Sequence, residues 1–362
     1  MRTLALAGGG TGGHFFPLIA VAGEAKESKT FERLYFFGDR GGVEFKNRDL
    51  LEEIFDRSFF FRLRKFRGAS ALQKAAFLAS TAAVSLRILK PLRGRFVSLV
   101  FGGYASVPLA LATRLRRRPL FLHEQNAVPG GANAALSKFA RRVFVAFPEA
   151  ADYFRRAEVV GMPLRRELKR YKNLSREEVL KDLGWEPKPT VLVLGGSQGA
   201  RTLNGLALFL ARRLEGVRVV LVSGPRHYET LKEEVEPSDL KAELRLFPFC
   251  REVGKLLRVA DFAVSRAGAS TAFELAYFGV PTLFVPYPYA ARDHQAANAR
   301  YFAREGGALL VREEELRPEA VAALLKDLLS DPRTLNRMSE AMERLFIPDA
   351  ERKILKVLSE EV

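Results

Sequence analysis

The sequence predicts an α/β protein made of two doubly wound domains in tandem. Three observations carry that reading. Short β-branched or aromatic runs alternate with helical patterns along the whole chain, as parallel sheets require. The chain has 362 residues, beyond the size at which one hydrophobic core keeps growing. Finally, "LALAGGGTGG" near the start rhymes with "VLVLGGSQGA" from Val191 onward, each an apolar strand that runs into glycines and then a helix.

In the first half the predicted strands are "TLALAG", "RLYFFG", "SLVFGG", "PLFLHE", "RVFVAF" and "AEVVG". In the second they are "TVLVLGG", "VRVVLVSG", "LRLFPF", "DFAVSRAG", "PTLFVPY" and "GALLV". The boundary falls within residues 161–179, where a Gly-Met-Pro turn leads into a charged helical stretch. The expected domains are therefore 1–162 and 163–346, and residues 347–362 restart as a helix after Pro348 that packs back on the first domain. Residues 96–113 form a long uncharged stretch, but a Gly-Gly pair and a proline interrupt it. It reads as strand, turn and helix rather than a membrane span.

Composition narrows the class further. Hydrophobic residues make up 48% and charged residues 28%, which fits a soluble globular protein. Cys250 is the only cysteine, so an intrachain disulfide and a cysteine-built metal site are both excluded and a reducing cytosol is expected. No secretory pattern precedes the first strand, and the reading is of an unexported protein. The net charge is +16, and residues 1–161 hold 26 Lys and Arg against 13 Asp and Glu. Between Asp56 and Glu124 there are 14 basic residues and no acidic one. Nucleic acid, an anionic membrane or an acidic substrate would each suit such a stretch, as would a solvated basic face without a partner.

Glycines at a strand-to-helix turn let backbone amides approach an oxyanion, and the helix N-terminus adds a favourable dipole. In "GGSQGARTLN", 195–204, the guest would be phosphate, with Ser197 and Gln198 adding polar groups; the alternative is tight strand–helix packing. The opening loop satisfies G-x-G-x-x-G at Gly8, Gly10 and Gly13, and Asp39 ends the second strand about where a ribose-binding acid would lie. Those features allow an NAD(P)-dependent oxidoreductase. Against it, His14 follows the last glycine, where a dinucleotide site wants only backbone packing. His14 is either a reactive imidazole or a helix-start residue bonded locally. In "SRAGASTAFE", 265–274, Glu274 is either half of a capping box with Thr271 or a carboxylate for both hydroxyls of a ribose. "HEQNAVPG", 123–130, binds a sugar or caps the next helix, and "RDHQAAN", 292–298, is a weaker signal of the same kind.

Taken together, "GGGTGGHFFP", "FGGYAS", "HEQN", "GGSQGAR", "SRAGASTAFE" and "HQAANA" resemble the MurG family of bacterial glycosyltransferases over nearly the whole chain. That family adds N-acetylglucosamine to lipid I, giving lipid II, in peptidoglycan biosynthesis. The resemblance implies a GT-B fold: two facing Rossmann-like domains with parallel sheets and an interdomain cleft. The N-terminal domain takes the lipid-linked acceptor and the C-terminal domain UDP-N-acetylglucosamine. By motif, Gly196, Ser197, Gln198 and Gly199 would hold the donor diphosphate and Glu274 the uridine ribose. Gly268, Ala269 and Ser270 line the same donor site, with Val253 near the uracil, Arg165 of "GMPLR", and His294 and Gln295 near the transferred sugar, Asn298 behind them. Gly10, Thr11, Gly12, Gly13, His14, Tyr104 and Asn126 match acceptor-side positions, and Glu124 a position in the cleft. The chain departs from the family at Met162, often asparagine; at His294 and Gln295, usually two glutamines; and in "FPFCREV", usually more acidic.

The resemblance also implies inversion at the anomeric carbon by one in-line displacement. His14 is the expected base because imidazole titrates near neutral pH, with Glu124 in reserve. No D-x-D motif occurs in the chain, so no tightly bound metal or other cofactor is expected. Residues 71–96 read as an amphipathic helix ending in cations, which suits peripheral attachment to anionic lipid at the cytoplasmic face of the plasma membrane. The rival classes are the oxidoreductase, a UDP-sugar epimerase of similar fold, and a nucleic-acid-binding protein, for which no reading motif is present.

Overall fold

The computed structural model describes residues 2–63, 71–196 and 199–361. The chain divides into two compact units, Met1–Arg165 with Ile347–Val362, and Arg166–Phe346. The division thus follows Arg165 rather than Met162.

The first unit contains strands β1 (Arg2–Ala7), β2 (Arg33–Asp39), β3 (Arg57–Phe61), β4 (Arg95–Val100), β5 (Leu120–Glu124), β6 (Arg142–Val145) and β7 (Ala157–Val159). They form one parallel sheet in the order β3-β2-β1-β4-β5-β6-β7. Its helices are α1 (Gly12–Glu27), α2 (Val43–Lys46), α3 (Arg48–Ile54), α4 (Ala71–Ile88), α5 (Val107–Leu115) and α6 (Gly131–Leu136). Helices on both faces explain why β1 and β4 read as continuous apolar runs, buried after their first residue.

The second unit holds β8 (Thr190–Leu194), β9 (Arg218–Val222), β10 (Glu243–Phe247), β11 (Phe262–Ser265), β12 (Thr282–Phe284) and β13 (Ala308–Leu310), parallel in the order β10-β9-β8-β11-β12-β13. The accompanying helices are α7 (Arg166–Lys172), α8 (Arg176–Leu183), α9 (Arg201–Arg213), α10 (Tyr228–Glu234), α11 (Val253–Val259), α12 (Ala269–Phe278), α13 (His294–Arg304), α14 (Pro318–Ser330) and α15 (Pro332–Leu345). The final helix, α16 (Ala350–Ser359), returns to the first unit. There Ile354, Leu355 and Leu358 join Leu4, Leu6, Leu18, Phe36 and Val97 in one core.

Strand order reverses between β1 and β4 and again between β8 and β11. Ligands of open α/β sheets bind at the carboxyl ends of the strands flanking such a reversal. The loops that leave those four strands begin at residues 8, 101, 195 and 266, and they carry the glycines Gly8, Gly10, Gly102, Gly103, Gly195, Gly196 and Gly268.

Two expectations are corrected. Strand β3 was not expected, because "RSFFF" has no period-two alternation; it is an edge strand whose Phe59 stacks on Phe37 at 5.0 Å. The helix expected over 71–96 ends at Ile88, and Phe96 belongs to β4.

Candidate active site

In the first unit, the opening loop turns at Gly10, whose φ of +84° favours glycine. A side chain at Gly8 would press on Phe101 at 2.8 Å, so that glycine serves packing. Helix α1 begins with Thr11 at its N-cap, yet the threonine hydroxyl does not cap the backbone. It lies instead 3.0 Å from His14 Nδ1, which orients the imidazole. Gly102 and Gly103, both at positive φ, lie against the ring: a Cβ would be 3.2 Å from His14 Cδ2 at Gly102 and 3.5 Å from Nδ1 at Gly103. The "FGGYAS" and "GGGTGGH" motifs therefore meet at His14, which is half-buried.

Sequence reasoning missed Glu44. This fully buried residue on α2 accepts the backbone N–H groups of Gly10 at 2.9 Å and Asp39 at 3.0 Å. Burial pushes its carboxyl above the ordinary value, against the pull of those amides. The only signal was the "GGVE" run after β2. Asp39 is 2% exposed and accepts from the Tyr104 hydroxyl (2.8 Å), Leu63 N (3.0 Å) and Gly41 N (3.2 Å). The acid that a ribose would need is thus committed within the protein, and the dinucleotide reading is not favoured. Burial and the bond to Asp39 both raise the Tyr104 phenol.

The "HEQN" segment divides into buried and accessible parts. His123 and Gln125 are buried. Burial lowers His123 to about 4, so the ring is neutral. Its Nε2 faces the Gly161 carbonyl at 3.1 Å and carries the proton, while Nδ1 accepts from Gln125 Nε2 at 3.1 Å. Glu124 accepts four bonds: Asn126 N (3.0 Å) and Nδ2 (3.2 Å) on one oxygen, Gly130 N (3.1 Å) and Asn133 Nδ2 (2.9 Å) on the other. Its carboxylate organises the turn that presents Asn126. Arg165, which ends the first of this unit's two segments, stacks its guanidinium over Phe16 at 4.6 Å.

In the second unit, Gly195 and Gly199 are required by packing. A Cβ at Gly195 would meet Ala200 N at 2.5 Å, and one at Gly199, where φ is +76°, would overlap the Ser223 carbonyl. Gly196, at φ +82°, has open space on that side. Ser197 and Gln198 lie outside the described residues. Helix α12 starts at Ala269 with Gly268 as N-cap and no side-chain cap. The capping box expected between Thr271 and Glu274 therefore does not form, since both lie inside the helix. Ser270 and Glu274 are both half-buried. A second residue unforeseen in the sequence, Arg266, is 8% exposed and donates to the carbonyls of Val285 and Pro286, each at 3.0 Å, while pairing with Glu313. It ties the loop after β11 to the end of β12.

Arg292 and Asp293 both adopt left-handed φ, 56° and 52°, immediately before α13. Such strain in non-glycine residues concentrates at functional sites. The turn presents His294, whose Nδ1–H donates to Ala291 O at 2.7 Å, and Gln295, whose Oε1 accepts from Tyr287 N at 2.9 Å. Asn298 is buried and holds Ala267 O at 3.0 Å. Val253 opens α11 and is half-buried.

Two parallel Rossmann-like sheets with glycine-rich turns at both order reversals place the chain in the GT-B fold class. Residues 4–145 match the glycosyltransferase family 28 N-terminal domain and residues 190–354 its C-terminal domain. A curated relative from Aquifex aeolicus (strain VF5) is 39% identical over 98% of this chain and 99% of its own length. It is named UDP-N-acetylglucosamine–N-acetylmuramyl-(pentapeptide) pyrophosphoryl-undecaprenol N-acetylglucosamine transferase. The crystal structure of Acinetobacter baumannii MurG superposes with a TM-score of 0.77 at 27% identity, covering 99% of both chains. The chain belongs to the MurG family of N-acetylglucosamine transferases. A UDP-GlcNAc 2-epimerase from Neisseria meningitidis also matches, at TM-score 0.69 over 99% of this chain and all of its own, but with 14% identity it shares the fold alone.

Proposed function

We propose that this chain transfers N-acetylglucosamine from UDP-N-acetylglucosamine to the 4-hydroxyl of the N-acetylmuramic acid of lipid I, giving lipid II. The full-length likeness to the Aquifex transferase carries the reading. The placement of the sequence motifs at the carboxyl ends of both sheets supports it.

In this reading His14 takes the proton of the acceptor hydroxyl as its oxygen bonds to the anomeric carbon. The bond from that carbon to the diphosphate breaks, UDP leaves, and the configuration inverts. In the tautomer whose Nδ1–H donates to Thr11 Oγ1, Nε2 carries no proton, the state a general base requires. Glu124, saturated by its four donors, holds Asn126 in place. On the donor side, the 195–199 turn with Ser197 and Gln198, and the Gly268–Ser270 turn, stabilise the charge that develops on the departing diphosphate. Glu274 accepts the ribose hydroxyls, Val253 lies near the uracil, and Arg165, His294 and Gln295 serve the donor sugar and phosphates. Helix N-termini and hydroxyls carry this role without a tightly bound metal. The work is done at the cytoplasmic face of the plasma membrane, where the lipid-linked acceptor resides.

The test is transfer of labelled N-acetylglucosamine to a lipid I analogue in excess chelator. A β-linked product is expected. Loss of transfer that added divalent metal restores would refute the metal-free step, and UDP-N-acetylmannosamine as the product would establish the epimerase instead.

A further inference from the structure

The opening glycine loop already holds a carboxyl group, and that group belongs to the chain. Glu44 projects from the four-residue α2 into a space that glycines leave open. A Cβ at Gly9 or Gly42 would overlap its carboxylate, and one at Gly38 would lie 2.9 Å from its Cγ. Gly9 of the opening loop and Gly42 after β2 are therefore spent on one buried side chain, and Gly38 within β2 leaves room for it and for Phe36. The carboxylate uses that space to accept Gly10 N–H and Asp39 N–H. Gly10 is the residue at which the chain reverses into Thr11, and Asp39 is the residue that receives the Tyr104 hydroxyl.

We infer that Glu44 is a positioning residue for His14: by accepting the Gly10 amide it fixes the opening loop, and through it the Thr11–His14 pair. This rests on the reading of His14 as the base. The chain of contacts is short. Glu44 holds Gly10 N, Thr11 follows directly, and the Thr11 hydroxyl lies against His14 Nδ1. On the opposite side Gly103, which precedes Tyr104, lies against Gly9 O and the His14 ring. Glu44 and the Asp39–Tyr104 pair thus hold both walls around the imidazole. Loosening the first wall lets the ring leave its orientation, and misplacement by about 1 Å can cost on the order of 100-fold in rate.

The experiment uses the full chain with Glu44→Gln, which keeps size and turns an amide N–H₂ toward one of the two backbone donors. The chain has four histidines, so the ring nitrogens are followed one by one by NMR, with His14→Ala assigning the signal of interest. The expected result is that the His14 ring signal moves while that of His123 stays. The turnover should fall about 10- to 100-fold, with KM for the sugar nucleotide within about twofold of wild type. A purely structural role would lower the melting temperature and leave the His14 signal in place. Should Glu44→Gln not fold, Gly9→Ala, which displaces the carboxylate without removing it, is read the same way. An unmoved His14 signal with wild-type turnover in a folded variant overturns the inference. If the wild-type chain shows no transfer at all, the ring signals still decide the positioning role, and only the functional reading falls.

Discussion

His14 occupies the third position of α1, where the threonine N-cap would ordinarily reach the backbone amide. Here the hydroxyl is diverted to the ring. Replacing the imidazole removes the proposed base and leaves the helix intact, so His14→Ala should lower turnover about 100- to 10,000-fold with little change in melting temperature. Steady-state kinetics beside thermal unfolding check this; a loss under about tenfold would assign the proton to another group. The meeting of His14 with Gly102 and Gly103 was legible because their motifs follow adjacent strands, and a parallel sheet brings strand ends to one edge. Glu44 was not legible. Its partners are main-chain amides, one of them 34 positions away, and amides carry no residue identity. His123 and Gln125 show the converse: polar side chains in a motif turned out to be neutral, buried supports for their neighbours.

Elements were legible wherever β-branched runs alternated with helical ones, and they failed where the pattern was uniform, as in the three phenylalanines of β3. The T-x-x-E pattern at Thr271 misled for a geometric reason. Gly268 already starts α12, so the pair falls within the helix. The same motif is real at α8, where Ser175 and Glu178 form a reciprocal box. Cross-strand chemistry was equally hidden. Arg218 on β9 is fully buried and lies in register with Glu243 on β10, which it meets at 2.9 Å, with Trp185 stacked at 4.7 Å. Although burial works against it, Arg218, Lys188 and Arg245 hold the Glu243 carboxyl down at about 2, against an ordinary 4.5. A lowered acid contributes stability above its unfolded value and loses it as pH falls through the folded one. Glu243→Gln should therefore destabilise the second unit at neutral pH by about 1–2 kcal/mol, solvent screening of the partly exposed carboxylate being allowed for. The gap to wild type should close between about pH 4.5 and 2. Denaturant unfolding across that range measures it; a gap independent of pH would leave the pair without electrostatic weight.

At the scale of the molecule, the positive charge was legible as an excess but not as a surface. Arg64, Lys65 and Arg67 of the basic stretch lie outside the described residues. Among the rest, α4 buries Thr81, Val84, Ser85 and Ile88 against the unit while exposing Leu78 (65%) and Leu86 (62%), with Arg87 beside them. Helix α5 packs against α4 and ends in the exposed Leu115 (61%), flanked by exposed Arg114, Arg116, Arg117 and Arg118. Apolar side chains ringed by arginines suit the boundary between headgroups and acyl chains, and each basic residue near an anionic surface adds roughly 1 kcal/mol. No helix among the described residues is long and apolar enough to cross a membrane. Flotation with vesicles containing anionic phospholipid should carry the chain upward at low salt. Raising the ionic strength shortens the screening length and should release it in part. Substituting Leu78, Leu86 and Leu115 together by glutamate should weaken flotation further, while transfer to a water-soluble acceptor analogue stays near wild type. If the triple variant floats as well as wild type, the lipid contact lies on another face of the protein, and the leucines are exposed without serving the membrane.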